Sequence, residues 1–203
     1  MNVSDKFKLI LIAPARTSTR SIIPIFWKRF EFKNIVTHVD SYTHEVDGYD
    51  HSKYFDYKII TLVRNPYSKQ VSSWQMECVH YGSNEYDTFE KYLNVNPIGW
   101  LYSEHSIIEY CKVHNRNLDY IIHYENMIED IISLPFLEKS EEILSEIDNL
   151  KINSVKNEFE DRKNEGRFRD YKKHYTQELA EKVYLPNKIL FDTFGYDKDS
   201  WKH

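Results

Sequence analysis

Residues 8–30, KLILIAPARTSTRSIIPIFWKRF, contain the pattern that decides the fold. The apolar run from Leu9 to Ala13 is typical of a strand buried in a parallel sheet. A polar loop spans residues 14–21, and apolar residues then recur at helical spacing as far as Phe30. The N–H groups at a helix N-terminus point outward without partners, so a buried strand that leads through a polar turn into a helix is a common phosphate-binding arrangement.

The loop is rich in groups that bind anions. Arg16 and Arg20 carry positive charge. Four hydroxyl side chains can donate further hydrogen bonds: Thr17, Ser18, Thr19 and Ser21. The glycines and the Gly-Lys-Ser/Thr ending of an ATP-binding P-loop are absent. The loop therefore predicts an anion site of another kind, and the alternative is an ordinary helix cap beside two solvated arginines.

A second basic turn lies in TLVRNPYSKQVSSW, residues 61–74. Residues 57–63 predict a buried strand, and Pro66 is suited to the first turn of a helix. Arg64 directly follows the strand, and Ser72 is eight residues further on. We expect the guanidinium and the hydroxyl to bind one phosphate from two directions, although each residue taken alone is more often structural.

The remaining pattern alternates strands with helices. Strands are predicted at 33–39 and 118–124, and helices at 86–114 (broken near 96–97), 138–149 and 177–191, the last one capped by Thr176 and kinked at Pro186. This order predicts one α/β domain over residues 1–203, a three-layer P-loop-like fold with a central, mainly parallel sheet flanked by helices. Ligands are expected at the carboxyl ends of the strands.

Composition excludes several classes of function. The 203 residues are 41% hydrophobic and carry a formal net charge of −5, which argues against nucleic acid or an anionic membrane as a partner. Cys78 and Cys111 form neither a metal-binding spacing nor a disulfide framework, and the histidines do not fall into a ligand spacing. No apolar run is long enough to cross a membrane. We therefore expect a soluble, cytoplasmic protein without a metal.

Several segments together resemble one enzyme family. Residues 16–22 look like the 5′-phosphosulfate loop of sulfotransferases, and RNPYSKQVSSW (64–74) looks like their 3′-phosphate motif. HYENMIED (123–130) and RKNEGRFRDYKKHYTQELAEKV (162–183), with the Phe-Gly-Tyr at 194–196, are similar to later segments of the same family. The chain thus resembles the sulfotransferases that use 3′-phosphoadenosine-5′-phosphosulfate (PAPS), in motif most of all the carbohydrate and heparan-sulfate O-sulfotransferases.

The resemblance implies a P-loop-like α/β fold and a reaction. PAPS would donate a sulfuryl group to an acceptor hydroxyl by in-line displacement, with PAP as product and no metal. Arg16 would neutralise charge on the leaving group. The other members of the implied cofactor site are Thr17, Ser18, Thr19, Arg20, Ser21, Arg64 and Ser72, together with Arg167 and Arg169 from the basic stretch at 162–174.

The resemblance also implies a base on the connection after the second strand. His38 is the first choice, because the predicted strand ends there and an imidazole with an ordinary pKa of about 6.5 can accept a proton at pH 7. His44 and Glu45 are the next candidates. The acceptor is expected to be a small molecule or, more specifically, a carbohydrate. Aromatic side chains that could stack on a sugar, but could equally be core, are Trp74, Tyr81, Tyr86, Tyr92, Trp100 and Tyr102.

Two other functions are consistent with the sequence. A P-loop-type phosphotransferase shares the strand, loop and helix, but it normally has a lysine followed by Ser or Thr for phosphate and magnesium. A non-catalytic protein that binds PAP or another nucleotide would need only the binding residues. A phosphotransferase would depend on magnesium, whereas a sulfotransferase would not. A non-catalytic binding protein would bind PAP but show no turnover.

Overall fold

The computed structural model describes residues 2–14, 17, 28–34, 51–80, 86–145 and 170–202. They fall into two compact units, the first within the ranges Met1–Val63 and Ser106–Asn164 and the second within Arg64–His105 and Glu165–His203. The prediction of a single domain stays a prediction. The strands are β1 (Asn2–Ser4), β2 (Leu9–Ile12), β3 (Lys33–Asn34), β4 (Lys58–Val63) and β5 (Tyr120–His123). Five α-helices are bounded, namely α1 (Pro66–His80), α2 (Phe89–Val95), α3 (Tyr102–Val113), α4 (Met127–Ile132) and α5 (Gln177–Phe194); residues 28–30 and 141–145 are helical as well. Single 3₁₀ turns span His51–Tyr54, Gly99–Leu101, Tyr124–Asn126 and Tyr171–His174.

The first unit contains a five-stranded sheet in the order β3-β1-β2-β4-β5. β4 pairs in parallel with both β2 and β5, whereas β1 is antiparallel to its neighbours β2 and β3. The sheet is therefore mainly parallel in strand direction, and the predicted α/β class is confirmed. The carboxyl ends of β2, β4 and β5 lie at one edge, where open α/β sheets bind ligands.

Both faces of the sheet are covered, because successive side chains of a strand point to opposite sides. Leu9, Leu11, Ile60 and Leu62 belong to one apolar cluster, which also includes Phe30 and side chains from α4 and residues 134–143. Ile10, Ile12 and Ile59 belong to a second cluster with Val3, Tyr54, Tyr57, Ile107 and Cys111. The two clusters place helical layers on either side of the sheet, as the sequence predicts.

β1 is a strand that the sequence analysis did not predict. Val3 pairs with Ile10 of β2, and Ser4, although polar, is 0% exposed. The Ser4 hydroxyl donates to the carbonyl of Phe30, which satisfies the buried group. Lys8, at the end of the turn between β1 and β2, has a φ of 54°.

The described residues of the second unit are mainly helical. Its helix α1 packs against α2, α5 and the two 3₁₀ turns Gly99–Leu101 and Tyr171–His174. α5 begins as predicted, since the Thr176 side chain accepts from the Leu179 backbone nitrogen. It continues three residues beyond the predicted end and stops at Gly195, whose φ of 72° is the left-handed conformation that glycine favours.

Candidate functional site

The segment after β2 is described in part. Thr17 is 0% exposed, and its Oγ1 donates to the carbonyl of Pro14 over 2.6 Å. A threonine hydroxyl has one hydrogen to donate, so this bond uses it and leaves the oxygen as an acceptor. A phosphate held by Thr17 would then have to be bound by its backbone N–H. The other loop residues of the prediction lie outside the described residues: Arg16, Ser18, Thr19, Arg20 and Ser21.

The predicted base and the predicted C-terminal contacts also lie outside the described residues. This applies to His38, to the alternatives His44 and Glu45, and to Arg167 and Arg169. Their roles remain predictions.

A histidine that the sequence analysis did not select stands at the carboxyl edge of the sheet. His123 is the last residue of β5 and pairs in register with Val63, the last residue of β4. Its Nδ1 lies 2.9 Å from Oδ2 of Asp130, and the same oxygen accepts from the His123 backbone nitrogen over 2.7 Å. The two side chains are 29% and 26% exposed, so the pair is within reach of a ligand.

A signal for this pair was present in the sequence. His123 ends a predicted strand, and Asp130 follows seven residues later in the helix after it. A chain that leaves a strand and enters a helix at once can bring a side chain of its first turns back to the end of the strand. The arrangement suits proton transfer, because a carboxylate fixes the imidazole and determines which nitrogen carries the proton.

In the second unit, Arg64 stands two residues before Pro66, the first residue of α1. Asn65 caps the helix: its Oδ1 accepts from the backbone nitrogens of Tyr67 (3.0 Å) and Ser68 (3.4 Å). Pro66 occupies the first helical position, as predicted. The Nε of Arg64 donates to the Ser68 hydroxyl over 2.9 Å. The guanidinium is therefore oriented by a side chain one turn into the helix.

Ser72 lies one further turn along α1 and is 7% exposed, as is Ser68. Residues four apart on a helix lie on the same side, so both hydroxyls share the side of α1 to which Arg64 is bonded. An arginine with hydroxyl groups beside it is a donor set that fits a phosphate group. The sequence identified Arg64 and Ser72 but not Ser68.

The start of α1 is anchored by the C-terminal segment of the same unit. Asn65 Nδ2 donates to Ser200 Oγ over 2.8 Å, and the Tyr67 hydroxyl donates to the Lys198 carbonyl over 2.7 Å. The Tyr175 hydroxyl in turn donates to the Tyr67 carbonyl over 2.9 Å. Burial raises the pKa of the Tyr67 hydroxyl above its ordinary value, so the hydroxyl stays a donor. These bonds fix the first turn of α1 and with it the position of Arg64.

Other features are neutral with respect to function. Among the described residues, no group of three or more His, Cys, Asp or Glu could hold a metal ion, and no helix is long and apolar enough to cross a membrane. Cys78 and Cys111 are both free thiols, and burial raises the pKa of Cys111 to about 11.

No protein-family model matches the chain, and no curated protein or solved structure is significantly similar to it.

Proposed function

We propose that the protein transfers a sulfuryl group from PAPS to an acceptor hydroxyl, and that this hydroxyl belongs to a carbohydrate. The observation that carries the proposal is the start of α1, where Arg64 follows a buried parallel strand and is bonded to Ser68, one turn before Ser72. This is the segment that resembles the 3′-phosphate motif, and its donor set fits a phosphate. The proposal assigns the 3′-phosphate to Arg64 and Ser72.

The loop after β2 supports the proposal through its chemistry. A hydroxyl- and arginine-rich loop follows a buried strand whose parallel neighbour leads to Arg64. The proposal assigns the 5′-phosphosulfate to this loop, with charge from Arg16 and Arg20 and hydrogen bonds from residues 17–19 and 21. Arg167 and Arg169 complete the proposed site on the 3′-phosphate side.

The reaction would proceed as an in-line displacement. The acceptor oxygen would form a bond to sulfur while the bond from sulfur to the 5′-phosphate oxygen breaks, and PAP would leave with that electron pair. Arg16 would neutralise the charge that develops on the leaving oxygen. A histidine would take the acceptor proton. His38 is the base that the resemblance implies, and the His123–Asp130 pair is a second candidate because its ring is already held by a carboxylate.

Binding of PAP tests the proposal most directly. Calorimetric titrations with PAP, and with ATP and ADP plus magnesium, would be made on the wild type, Arg64→Ala and Lys188→Ala. Lys188 is the matched control, since it is an exposed cation in the same unit that pairs with Asp192. We expect PAP to bind more tightly than ATP without magnesium, Arg64→Ala to lose about tenfold or more in affinity, and Lys188→Ala to match the wild type.

The remaining outcomes distinguish the other two functions. A magnesium-dependent preference for ATP would favour a phosphotransferase and contradict the proposal. PAP binding without turnover of PAPS on a panel of carbohydrate and small-molecule acceptors would favour a non-catalytic binding protein. Loss of PAP affinity in Lys188→Ala to the same extent as in Arg64→Ala would remove the assignment of the 3′-phosphate to Arg64.

A further inference from the structure

The second unit contains a cavity of about 310 Å³, and four of the aromatic side chains that the sequence offered for stacking on a sugar line it. It lies beside α1, α2 and the segment that leads into α3. Four aromatic and two polar side chains line it: Tyr86, Tyr92, Trp100, Tyr102, Glu77 and Asn96. Neither Arg64 nor Ser72 is among the lining residues.

Glu77 is the one charged side chain among the described residues that line the cavity. Trp100 Nε1 donates to Glu77 Oε1 over 3.0 Å, which holds the carboxylate at the wall. No lysine or arginine of the described residues forms an ion pair with it. A half-buried carboxylate that no described lysine or arginine pairs with favours a ligand that brings a positive charge.

The charge of Glu77 acts on neighbouring groups. Burial raises the pKa of the Tyr92 hydroxyl, and the Glu77 carboxylate raises it further. Burial raises the pKa of the Cys78 thiol, again with Glu77 as the next cause. Both effects have the sign that a nearby negative charge on Glu77 produces.

We propose that this cavity binds a small organic cation that carries an alkylated or quaternary ammonium group. The Glu77 carboxylate would be its counter-ion, and the surrounding tyrosine and tryptophan rings would stabilise the positive charge through cation–π interaction. The Asn96 amide would bind a polar group of the same ligand. A neutral sugar ring could also stack on these aromatic side chains, but it would leave the carboxylate without a counter-charge.

The first test compares a cation with its neutral isostere. Choline and 3,3-dimethyl-1-butanol, which replaces the charged nitrogen by carbon, would be titrated calorimetrically into the wild-type protein, with methyl β-D-glucopyranoside as the sugar probe. We expect choline to bind about tenfold or more tightly than either neutral probe. Equal affinity for choline and the isostere, tighter binding of the glucoside, or no choline binding would overturn the proposal.

The second test assigns the site. Glu77→Gln removes the charge but keeps an oxygen that can accept from Trp100, and Glu90→Gln removes an exposed carboxylate of the same unit that does not line the cavity. We expect choline affinity to fall about tenfold in Glu77→Gln and to stay unchanged in Glu90→Gln. Unchanged choline affinity in Glu77→Gln would overturn the assignment. Should Glu77→Gln fail to fold, the wild-type comparison of choline with its isostere still decides.

A titration with phosphocholine distinguishes two sources of a quaternary ammonium group. A preference for choline would indicate a free ammonium compound, and a preference for phosphocholine would indicate a headgroup; both outcomes retain the cation site. The titrations need neither PAPS nor an acceptor, so their failure would leave the proposed sulfuryl transfer untouched.

Discussion

Asp130 holds His123 with a single oxygen, its Oδ2, which lies 2.9 Å from the ring Nδ1 and 2.7 Å from the backbone nitrogen. A carboxylate can only accept, so Nδ1 must be the nitrogen that donates. In the neutral imidazole the other nitrogen, Nε2, is then the proton acceptor. The pair thus fixes both the orientation of the ring and the place at which a proton can be taken up.

The tautomer of His123 gives the first prediction. We expect nitrogen NMR shifts of the wild-type protein, recorded with the ring neutral, to report a hydrogen on Nδ1 of His123. Asp130→Asn should shift the population toward the Nε2-protonated form, because the carboxylate that favours Nδ1–H is gone. His105 is the internal control, since its Nε2 lies 2.7 Å from Asn187 Oδ1 and should not respond to Asp130→Asn. An Nε2–H tautomer of His123 in the wild type would contradict the interpretation.

The choice of base gives the second prediction. His38→Ala and His123→Gln should both leave PAP affinity unchanged, and the variant that has lost the base should turn over PAPS about a hundredfold more slowly. The measurement is the initial rate of PAP release with a verified acceptor, paired with a PAP titration of each variant. If neither variant slows, His38 and His123 are both ruled out as the base, and His44 or Glu45 becomes the candidate.

The sequence predicted those elements whose signal is local. β2, β4 and β5 are apolar runs, Pro66 and Thr176 mark helix starts, and each of these was confirmed. β1 was missed because Asn2 and Ser4 are polar, and their burial depends on pairing with β2 and β3. A strand of this kind is set by its partners, which a local pattern does not reveal.

In the candidate site too, the sequence predicted residues with a local signal and missed those whose role depends on distant contacts. Arg64 and Ser72 could be found because they follow a strand within one short motif, whereas the role of Ser68 depends on the direction of the Arg64 side chain. Lys69 lies in the same motif and looks like a surface residue. Its partner is 35 residues away, so nothing in the motif indicates that it is buried.

The Lys69–Glu104 pair gives the third prediction. Nζ lies 2.5 Å from Oε2, the side chains are 0% and 2% exposed, and Ser103 donates to the same oxygen over 2.9 Å. Removing one partner leaves a buried charge, so we expect Lys69→Met to lower the free energy of unfolding by about 3–5 kcal/mol in urea denaturation. Lys91→Met is the control, because the exposed Lys91–Asp87 pair should contribute less than about 1 kcal/mol.

A second substitution tests the cause of that loss. Lys69→Met combined with Glu104→Leu removes both charges and should recover much of the stability, since apolar side chains of similar volume can replace a buried pair. A double variant that is less stable than Lys69→Met alone would show that packing, and not the orphaned carboxylate, explains the loss.

Asp5 gives the fourth prediction, on pH. The hydrogen bond from Lys33, followed by that from the Tyr57 hydroxyl (2.8 Å to Oδ1), holds the pKa of Asp5 below its ordinary value. The folded pKa is thus lower than the unfolded one, so the stabilisation is complete above about pH 4 and is lost as pH falls through the folded pKa. With its side chain 44% exposed, Asp5 should contribute less than about 1 kcal/mol.

The measurement is the difference in unfolding free energy between the wild type and Asp5→Asn as a function of pH. We expect the wild type to be the more stable at neutral pH and the difference to shrink in acid. Asp56→Asn is the control, since Asp56 is 69% exposed and lies 3.9 Å from Lys8. A difference that stays constant into strong acid would exclude the ionised carboxylate as its source.

The bond between Arg64 and Ser68 gives the last prediction. Because Ser68 accepts from Nε over 2.9 Å, it should act on a ligand through the orientation of the guanidinium. We expect Ser68→Ala to weaken PAP binding by about three- to tenfold, the size of one hydrogen bond, while the variant keeps the wild-type unfolding transition. Calorimetric titration of Ser68→Ala, Arg64→Ala and the double variant completes a cycle. If Ser68 acts through Arg64, its substitution has no further effect once the arginine is absent. Equal losses of PAP affinity with and without Arg64 would instead show that Ser68 contacts the ligand directly and does not act through the guanidinium.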